Sequence, residues 1–400
     1  MSAAEAQSDW QPAPQGREPP LRTGSRLPHL DGLRGIAILL VLAQHWVGFN
    51  WTLLSGRTGV TLFFILSGYL ITRILLGLRA RAEWHGEARL AGLKTFYVRR
   101  ALRIFPPFYI VLAAVCLIGV ADARDYVFWH AAYLSNVLFV RLDEWLPNTA
   151  HLWSLAVEEQ FYLAWPLLML WLPRRLLLTA IVAVIVAAPL LRAAILVAGA
   201  SPIAIWVLPP CVMDALGLGA LLASVQALAP DRWARVRAIA LVAAVAAFLA
   251  YWALYAYLSL TQWNDAVWIV AMDSLIALML WPLVAWSIEP TPSWPLRWLT
   301  QRWLTYLGQI SYMVYLLHLF MPEVTWLLAS RAGLADATLS RAVLVPVWAA
   351  LTIAVAMLSW HFVEQPILSR RRSGGQRQFG PLAAVSSALG TPNRRRSRRS

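Results

Sequence analysis

The chain of 400 residues is 60% apolar and 14% charged and contains 22 tryptophans, a composition that excludes an ordinary soluble domain. Its formal net charge of +14 comes largely from arginines in loops and tails, and in a membrane protein such charge indicates orientation more than nucleic-acid binding. The two cysteines, Cys116 and Cys211, lie inside apolar runs and show no metal-ligand spacing, so the sequence supports neither a disulfide framework nor a zinc site.

The two ends of the chain differ from its apolar middle. Residues 1–28 and 373–400 are rich in Pro, Ser, Gln, Gly and Arg, so we expect disordered tails on either side of a membrane domain at 29–372. The first tail lacks the pattern of a cleaved signal peptide, so the first apolar run is expected to be retained. The basic run Arg394–Arg399 is interpreted as attraction to anionic lipid, with nucleic-acid binding as the alternative.

Ten apolar runs are long enough to cross a bilayer as helices. They lie at 33–52, 58–77, 104–121, 151–172, 176–199, 206–227, 237–258, 266–287, 304–329 and 342–364. The pattern predicts an all-α integral membrane protein, a polytopic bundle of about ten transmembrane helices with disordered termini. An eleventh stretch, 126–140, is shorter and more polar.

The distribution of arginine decides whether residues 126–140 cross the membrane. The connection between the second and third runs is rich in arginine, so the positive-inside rule places it in the cytoplasm. If 126–140 crossed, the basic loops after it and the basic C-terminal tail would all lie outside. If it does not cross, all of them lie inside. We therefore predict ten spans, both termini in the cytoplasm, and 126–140 as a re-entrant or outer-surface segment.

The first span, within Asp31–Trp46, carries one arginine and one histidine in an otherwise apolar helix. Asp31 is the predicted N-cap. Arg34 and His45 are eleven residues apart, which is three helical turns, so a regular helix places them on one face about 16 Å apart. Arg34 then lies at the cytoplasmic edge and His45 in the outer half. Titratable groups inside a membrane helix are costly and mark functional paths.

Two later spans carry polar residues at helical spacing, each on one face. The first stripe comprises His151, Ser154, Glu158 and Tyr162, and the second comprises Gly308, Ser311, Tyr315 and His318. In the predicted topology Glu158 and His318 fall in the outer half of the membrane, near the depth of His45. Glu159 points about 100° away from Glu158 and is a further candidate.

At the inner edge, Arg99, Arg100 and Arg103 lie within one helical turn of each other, and Pro106 and Pro107 predict a kink just beyond them. Guanidinium groups pair bidentately with phosphate. A histidine near a buried carboxylate suits general-base catalysis, with the carboxylate fixing the imidazole tautomer. The layout therefore predicts an active site that reaches across the membrane.

Seven segments of the chain match, in order, the motifs of a known family. Arg34 and His45 match its first-helix signature, an Arg or Lys followed after ten residues by His, and Arg100 with Arg103 resembles its RxxR motif. The other matching segments are GVTLFFILSGYLIT, WSLAVEEQFYLAWP, MDALGLGALLA, ISYMVYLLH and FVEQP. Over roughly residues 28–372 the chain resembles the membrane acyltransferase 3 family. In the family, an arginine often stands two residues before the aspartate that corresponds to Asp214. In this chain Val212 occupies that position.

The resemblance implies an enzyme that transfers an acyl group, with acetyl as the first expectation, from cytoplasmic acyl-CoA to a hydroxyl of a glycan or glycoside. The expected donor-binding residues are Arg34, Arg99, Arg100 and Arg103. The expected catalytic residues are His45, Glu158, Glu159 and His318. His45 acts either as a base toward the acceptor hydroxyl or as a carrier of the acyl group. No metal is expected. Some members carry a fused extracytoplasmic hydrolase-like domain, which is not expected here.

The expected location is the cytoplasmic (inner) membrane of a bacterium, with membrane lipid and a glycan or glycoside as partners and no nucleic acid. The acceptor stays open among surface polysaccharide, lipid-linked sugar, peptidoglycan and secreted glycoside. The acyl chain length and the oligomeric state also stay open. The main alternative function is a transporter or flippase of a polar or lipid-linked glycan, because intramembrane Arg, His and Glu also line transport paths. Against it, the chain shows no paired repeat halves.

Overall fold

The computed structural model describes residues 27–49, 53–261, 266–289, 294–334 and 339–367. Within these ranges every regular element is helical, which confirms the predicted all-α class. The tails predicted to be disordered, residues 1–28 and 373–400, lie outside the described residues except for Leu27 and Pro28.

Fifteen α-helices follow one another along the described ranges. The first eight are α1 Pro28–Leu42, α2 Gly56–His85, α3 Arg89–Ile118, α4 Ala121–Asp125, α5 Val127–Ala131, α6 Ser135–Leu142, α7 Leu152–Trp171 and α8 Arg174–Val197. The remaining seven are α9 Pro202–Val207, α10 Pro209–Leu228, α11 Trp233–Thr261, α12 Ala266–Ser287, α13 Arg302–Leu317, α14 Phe320–Arg331 and α15 Arg341–Ser359. Two π-helical turns, Ala43–Val47 and Trp360–Glu364, extend α1 and α15, and two 3-10 turns are Pro230–Arg232 and Trp294–Thr300.

In the described part of the chain, eight spans are long and apolar enough to cross a membrane. The bent pair α13 and α14, which meet at an angle of 58°, makes a ninth if the two count as one span. These nine correspond to nine of the ten predicted runs. The remaining predicted run, residues 151–172, is α7, which has 20 residues and thus the length of a span. Its two glutamates and one glutamine lower its mean hydropathy, so α7 is a polar member of the bundle.

Residues 126–140, which the structure describes throughout, form two short helices and no spanning helix. The side-chain amides of Asn136 and Gln160 bond reciprocally at 3.1 and 3.0 Å, and these bonds fasten the segment to α7. Gln160 also donates to the carbonyl oxygen of Tyr133 at 2.9 Å. Burial lowers the pKa of His130 to about 4, so this imidazole is neutral at physiological pH.

The first helix differs from its prediction at both ends. It begins at Pro28, three residues before the predicted N-cap Asp31, because proline fits the first turn of a helix. At Ala43 it changes to the π-helical turn Ala43–Val47, which contains His45. A π turn holds more residues than an α turn and rotates the side chains that follow. The direction of His45 is therefore set by this turn and not by the regular register with Arg34.

Helix α7 is held at its C-terminal end by side chains of α2. The guanidinium of Arg79 is buried and donates to the carbonyl oxygens of Met169 and Leu172 at 2.9 and 2.7 Å. These are carbonyls that the end of a helix leaves without an intrahelical partner. The indole of Trp165 donates to the hydroxyl of Thr72 at 2.8 Å. These bonds fix the position of α7 against the central helix α2, which also packs against α1 and α10.

A buried ion pair joins α8 to α10. The Arg192 guanidinium donates to Asp214 Oδ2 at 2.8 Å, and both side chains are almost fully buried. Ser274 of α12 donates to the same carboxylate oxygen at 2.6 Å. The family often has an arginine at the position of Val212, two residues before Asp214. Here the positive charge beside Asp214 comes instead from Arg192 on α8.

Helices α1 and α13 cross closely at Gly308. A Cβ atom built on Gly308 would lie 1.8 Å from the carbonyl oxygen of Asp31, a distance that no real contact allows. We expect Gly308→Ala to force the two helices apart and to lower the free energy of unfolding by roughly 1–3 kcal/mol. Thermal unfolding in detergent measures this loss. Gly92→Ala in α3 is the control, because its Cβ would meet only Leu78 at 3.5 Å, and a loss of equal size there would contradict the close-crossing explanation.

Candidate active site

A cavity lies among α1, α2, α3, α7 and α13, with about 710 Å³ of space not filled by protein, a volume that includes the open solvent at its mouth. Charged and hydroxyl side chains share its walls with apolar rings. The lining residues are Arg34, Val60, Phe63, Phe64, Ser67, Arg100, Arg103, Ile104, Tyr133, Ser154, Leu155, Glu158, Glu159, Tyr162, Ser311, Tyr312 and Tyr315. Five of the eight residues predicted for the site are among them, and they come from three different helices.

The basic wall of the cavity consists of Arg34, Arg100 and Arg103. Arg34 donates to the carbonyl oxygen of Gly308 and to the hydroxyl of Ser311, both at 3.2 Å. The guanidinium carbon of Arg100 lies 5.1 Å from the centre of the Tyr162 ring. In the described residues none of these three arginines forms an ion pair with a carboxylate. The Glu158 carboxylate on the same cavity wall interacts with Arg34 and Arg100 electrostatically, without forming a direct ion pair.

The acidic residues of the cavity lie on consecutive positions of α7. Glu158 accepts a hydrogen bond from Ser67 Oγ at 2.6 Å, and the hydroxyl of Tyr162 donates to the same serine at 3.4 Å. Glu159 lines the cavity as well, although it points in another direction along the helix. Glu158, Ser154 and Tyr162 all belong to the predicted stripe, and the structure places all three on the cavity wall.

Three predicted site residues are not part of the cavity lining. Arg99 is exposed, whereas the adjacent Arg100 and the next turn's Arg103 face the cavity. His45 is exposed near the end of the first span, and His318 is fully buried behind it. The centres of these two imidazole rings are 4.9 Å apart.

A row of rings leads from His45 to the cavity. The ring centre of His318 lies 5.1 Å from that of Tyr315 and 5.0 Å from that of His151. The hydroxyl of Tyr315 lies 2.6 Å from that of Ser154, and both residues line the cavity. His45 is thus separated from the arginines and glutamates by one layer of side chains.

A backbone carbonyl, and not a carboxylate, orients His45. Its Nδ1 lies 2.9 Å from the carbonyl oxygen of Val41. Because a carbonyl oxygen only accepts, Nδ1 carries the hydrogen in the neutral ring and Nε2 carries a lone pair. The prediction that a carboxylate fixes this tautomer is therefore wrong, since Glu158 bonds Ser67 on the other side of the ring layer.

Tyr133 and Tyr312 line the cavity but were not predicted as site residues. Tyr133 has a φ of 54°, and non-glycine residues in this left-handed region are uncommon and concentrate at functional sites. Its ring stacks on Phe108 with centres 4.4 Å apart. For Tyr133 the only sequence signal was the polar stretch at 126–140, whose contact with the cavity depends on the tertiary fold, whereas Tyr312 lies in the family-matching segment ISYMVYLLH.

Comparison with known proteins gives one family and several relatives. A family model described as an acyltransferase domain matches residues 27–361. The peptidoglycan O-acetyltransferase OatA of Listeria monocytogenes is 29% identical over 374 residues, which cover 85% of this chain and 56% of that protein. YrhL of Bacillus subtilis, a candidate peptidoglycan O-acetyltransferase, is 35% identical over 155 residues, or 35% of this chain and 23% of its own length. The chain thus spans little more than half the length of the Listeria relative. No solved structure matches the chain.

Proposed function

Because the chain belongs to the acyltransferase 3 family, we propose that it is a membrane O-acyltransferase that moves an acetyl group from cytoplasmic acetyl-CoA to a hydroxyl of a cell-envelope glycan. Peptidoglycan is the first candidate acceptor, because the relatives named above carry that substrate in their names. The proposed location is the cytoplasmic membrane with both termini in the cytoplasm.

The observation that supports donor binding is the set of three cavity arginines, none of which forms a direct ion pair with a carboxylate in the described part of the chain. A nucleotide diphosphate is a multiply charged anion, and guanidinium groups hold phosphate through charge-assisted hydrogen bonds. The apolar walls at Phe63, Ile104 and Leu155 suit the less polar arm that carries the thioester. In this proposal Arg34, Arg100 and Arg103 hold the donor. The exposed Arg99 contributes only a screened attraction to its approach.

The acceptor meets the acyl group on the His45 side of the ring layer. His45 has an exposed ring whose Nε2 lone pair is available for a proton, so it acts as the general base toward the acceptor hydroxyl. Transfer from the acyl group to His45 itself is the alternative order of events. In either order the thioester must pass the layer formed by Tyr315 and His318, so Tyr315 has to leave the position that it occupies in this structure.

Radioactive acetyl transfer tests the proposal. Membranes from cells that express the wild-type chain receive acetyl-CoA labelled in the acetyl group, and the label is followed into glycan and small-glycoside fractions. We expect label in a glycan fraction. We expect the double variant Arg100→Gln/Arg103→Gln to raise the KM for acetyl-CoA by about tenfold or more per lost guanidinium, and Arg99→Gln to raise it far less. If the wild type moves no label while host acceptors are present, the transporter alternative replaces this proposal.

The two glutamates are expected to differ in effect. Glu158 is bonded to Ser67 and its carboxylate interacts electrostatically with Arg34 and Arg100, whereas no side-chain hydrogen bond to Glu159 is seen in the described residues. We therefore predict that Glu158→Gln lowers kcat more than Glu159→Gln. Steady-state acetyl transfer by both variants measures the difference, and equal turnover would contradict a specific role of the Glu158 carboxylate.

A further inference from the structure

Tyr133 belongs to the connection between α5 and α6 and lines the cavity of the candidate active site. Its φ of 54° lies in the left-handed region, which a non-glycine residue keeps only where the surrounding structure holds it. Gln160 of α7 supplies such a hold, because its amide donates to the carbonyl oxygen of Tyr133 at 2.9 Å. The fold thus maintains a strained backbone at the point where this side chain reaches the cavity.

Aromatic side chains of α3 fix the ring of Tyr133. The ring stacks on Phe108 and on Phe105, with centres 4.4 and 5.7 Å apart. It also meets the ring of Tyr109 edge-on, with centres 6.4 Å apart. A ring held by three aromatic neighbours has little freedom left to lose when a ligand binds, so the position of its hydroxyl is set in advance.

The hydroxyl of Tyr133 is buried, and among the described residues it has no hydrogen-bond partner. Its polar neighbours on the cavity wall are Tyr312 and Glu159. Neither stands in hydrogen-bond geometry with this hydroxyl, and Tyr312 donates its own hydrogen to the carbonyl oxygen of Ile104 at 3.1 Å. A buried polar group without a partner costs free energy and calls for an explanation. An acceptor atom of a bound ligand would be the missing partner.

The level of Tyr133 in the cavity indicates which part of the acyl donor it meets. Its stacking partner Phe108 follows Arg103 of the basic wall by five residues on α3, about 7.5 Å at 1.5 Å per residue. Its neighbour Tyr312 precedes Tyr315 of the ring layer by one turn of α13. Tyr133 therefore lies between the arginines and the ring layer. The arm that joins the phosphates of acetyl-CoA to the thioester occupies this interval, and its amide and thioester carbonyl oxygens are hydrogen-bond acceptors.

We propose that the hydroxyl of Tyr133 donates a hydrogen bond to a carbonyl oxygen of this arm, an inference that rests on the proposed acetyl-CoA-dependent function. A tyrosine hydroxyl keeps its hydrogen at physiological pH, so it acts as the donor and the carbonyl as the acceptor. The arginines then bind the anionic end of acetyl-CoA, and Tyr133 binds the neutral arm. Tyr133 is thus a donor-binding residue with a task separate from that of the arginines.

The test compares ligands with and without the arm. Equilibrium dialysis of purified protein in detergent, without acceptor, gives the dissociation constants of acetyl-CoA, free CoA and adenosine 3′,5′-bisphosphate, which lacks the arm. We expect Tyr133→Phe to weaken binding of acetyl-CoA by roughly tenfold, because the buried carbonyl loses its donor. Binding of the bisphosphate should stay within twofold of the wild type. A loss shared by free CoA assigns the bond to an amide carbonyl, and a loss confined to acetyl-CoA assigns it to the thioester carbonyl.

Two comparisons separate this effect from other causes. Tyr306→Phe removes another buried hydroxyl that has no partner in the described part of the chain, at a residue that does not line the cavity, and it should leave all three dissociation constants unchanged. Arg100→Gln/Arg103→Gln should weaken all three ligands together. Tyr133→Phe keeps the ring and removes a hydroxyl without a partner, so the ligand-free variant should unfold at no lower temperature than the wild type.

Binding of acetyl-CoA within twofold of the wild type by folded Tyr133→Phe would overturn the inference. An equal loss of affinity for adenosine 3′,5′-bisphosphate would also overturn it, as would an equal loss for acetyl-CoA in Tyr306→Phe. A wild-type protein that binds no acetyl-CoA would instead overturn the proposed function, so the two failures are distinguishable.

Discussion

Replacement of His45 by asparagine is expected to reduce acetyl transfer by at least about 10²-fold, the lower range for loss of a general base. Asparagine can still donate near the position of Nδ1, so the bond to the Val41 carbonyl and the π-helical turn are expected to survive. The KM for acetyl-CoA should stay unchanged, because the arginines that we propose as donor ligands lie on the other side of the ring layer. Transfer of labelled acetyl by purified protein in detergent measures both quantities.

The chain contains a matched control for this substitution. His361 lies in the second π-helical turn, is exposed, and has its Nδ1 2.9 Å from the carbonyl oxygen of Met357. His361→Asn is therefore the same chemical change in the same local backbone, at a position that does not line the cavity. We expect wild-type turnover from it. A His45→Asn variant that also keeps its turnover would remove His45 from the mechanism.

Loss of the buried cation at Arg192 is expected to be the largest effect on stability. In Arg192→Leu the carboxylate of Asp214 keeps its bond to Ser274 but loses its positive partner inside the protein. Breaking a buried pair by removing one member typically costs about 3–5 kcal/mol. Unfolding by heat or denaturant in a mild detergent should show this loss. The double variant Arg192→Leu/Asp214→Leu should recover part of the stability, because no buried charge is then left alone.

The pair of Arg237 and Glu289 is the comparison for this prediction. Both side chains are partly exposed, at 32% and 25%, and exposed pairs contribute only about 0–1 kcal/mol. Arg237→Leu should therefore change stability little. If it destabilises the protein as much as Arg192→Leu, burial of the charge is not the cause. If the double variant is no more stable than Arg192→Leu, the uncompensated carboxylate is not the cause either.

The sequence predicted the parts of the site that depend on regular helices. The spacing of Ser154, Glu158 and Tyr162 placed them on one face of α7, and all three line the cavity. Apolar run lengths predicted the spans, and the count differs only because the polar residues of α7 lower its hydropathy. These features follow from local periodicity, which a single sequence carries.

Features that depend on irregular backbone or on distant contacts were not predictable in the same way. The π turn at Ala43–Val47 changes the direction of His45, and no residue pattern in the apolar run predicted that turn. The partner of Asp214 comes from another helix, so its position along the chain gave no signal. Tyr133 reaches the cavity through a left-handed backbone conformation in a segment whose docking depends on Gln160.

In the proposed reaction, donor and acceptor approach from opposite sides of the membrane. Sealed vesicles of known orientation test it, because acetyl-CoA does not cross a lipid bilayer unaided. With acceptor glycan enclosed and labelled acetyl-CoA added outside, inside-out vesicles should label the enclosed glycan, and right-side-out vesicles should not. Equal labelling by both orientations, or labelling by right-side-out vesicles alone, would contradict an active site whose arginines face the cytoplasm and whose histidine faces the opposite side.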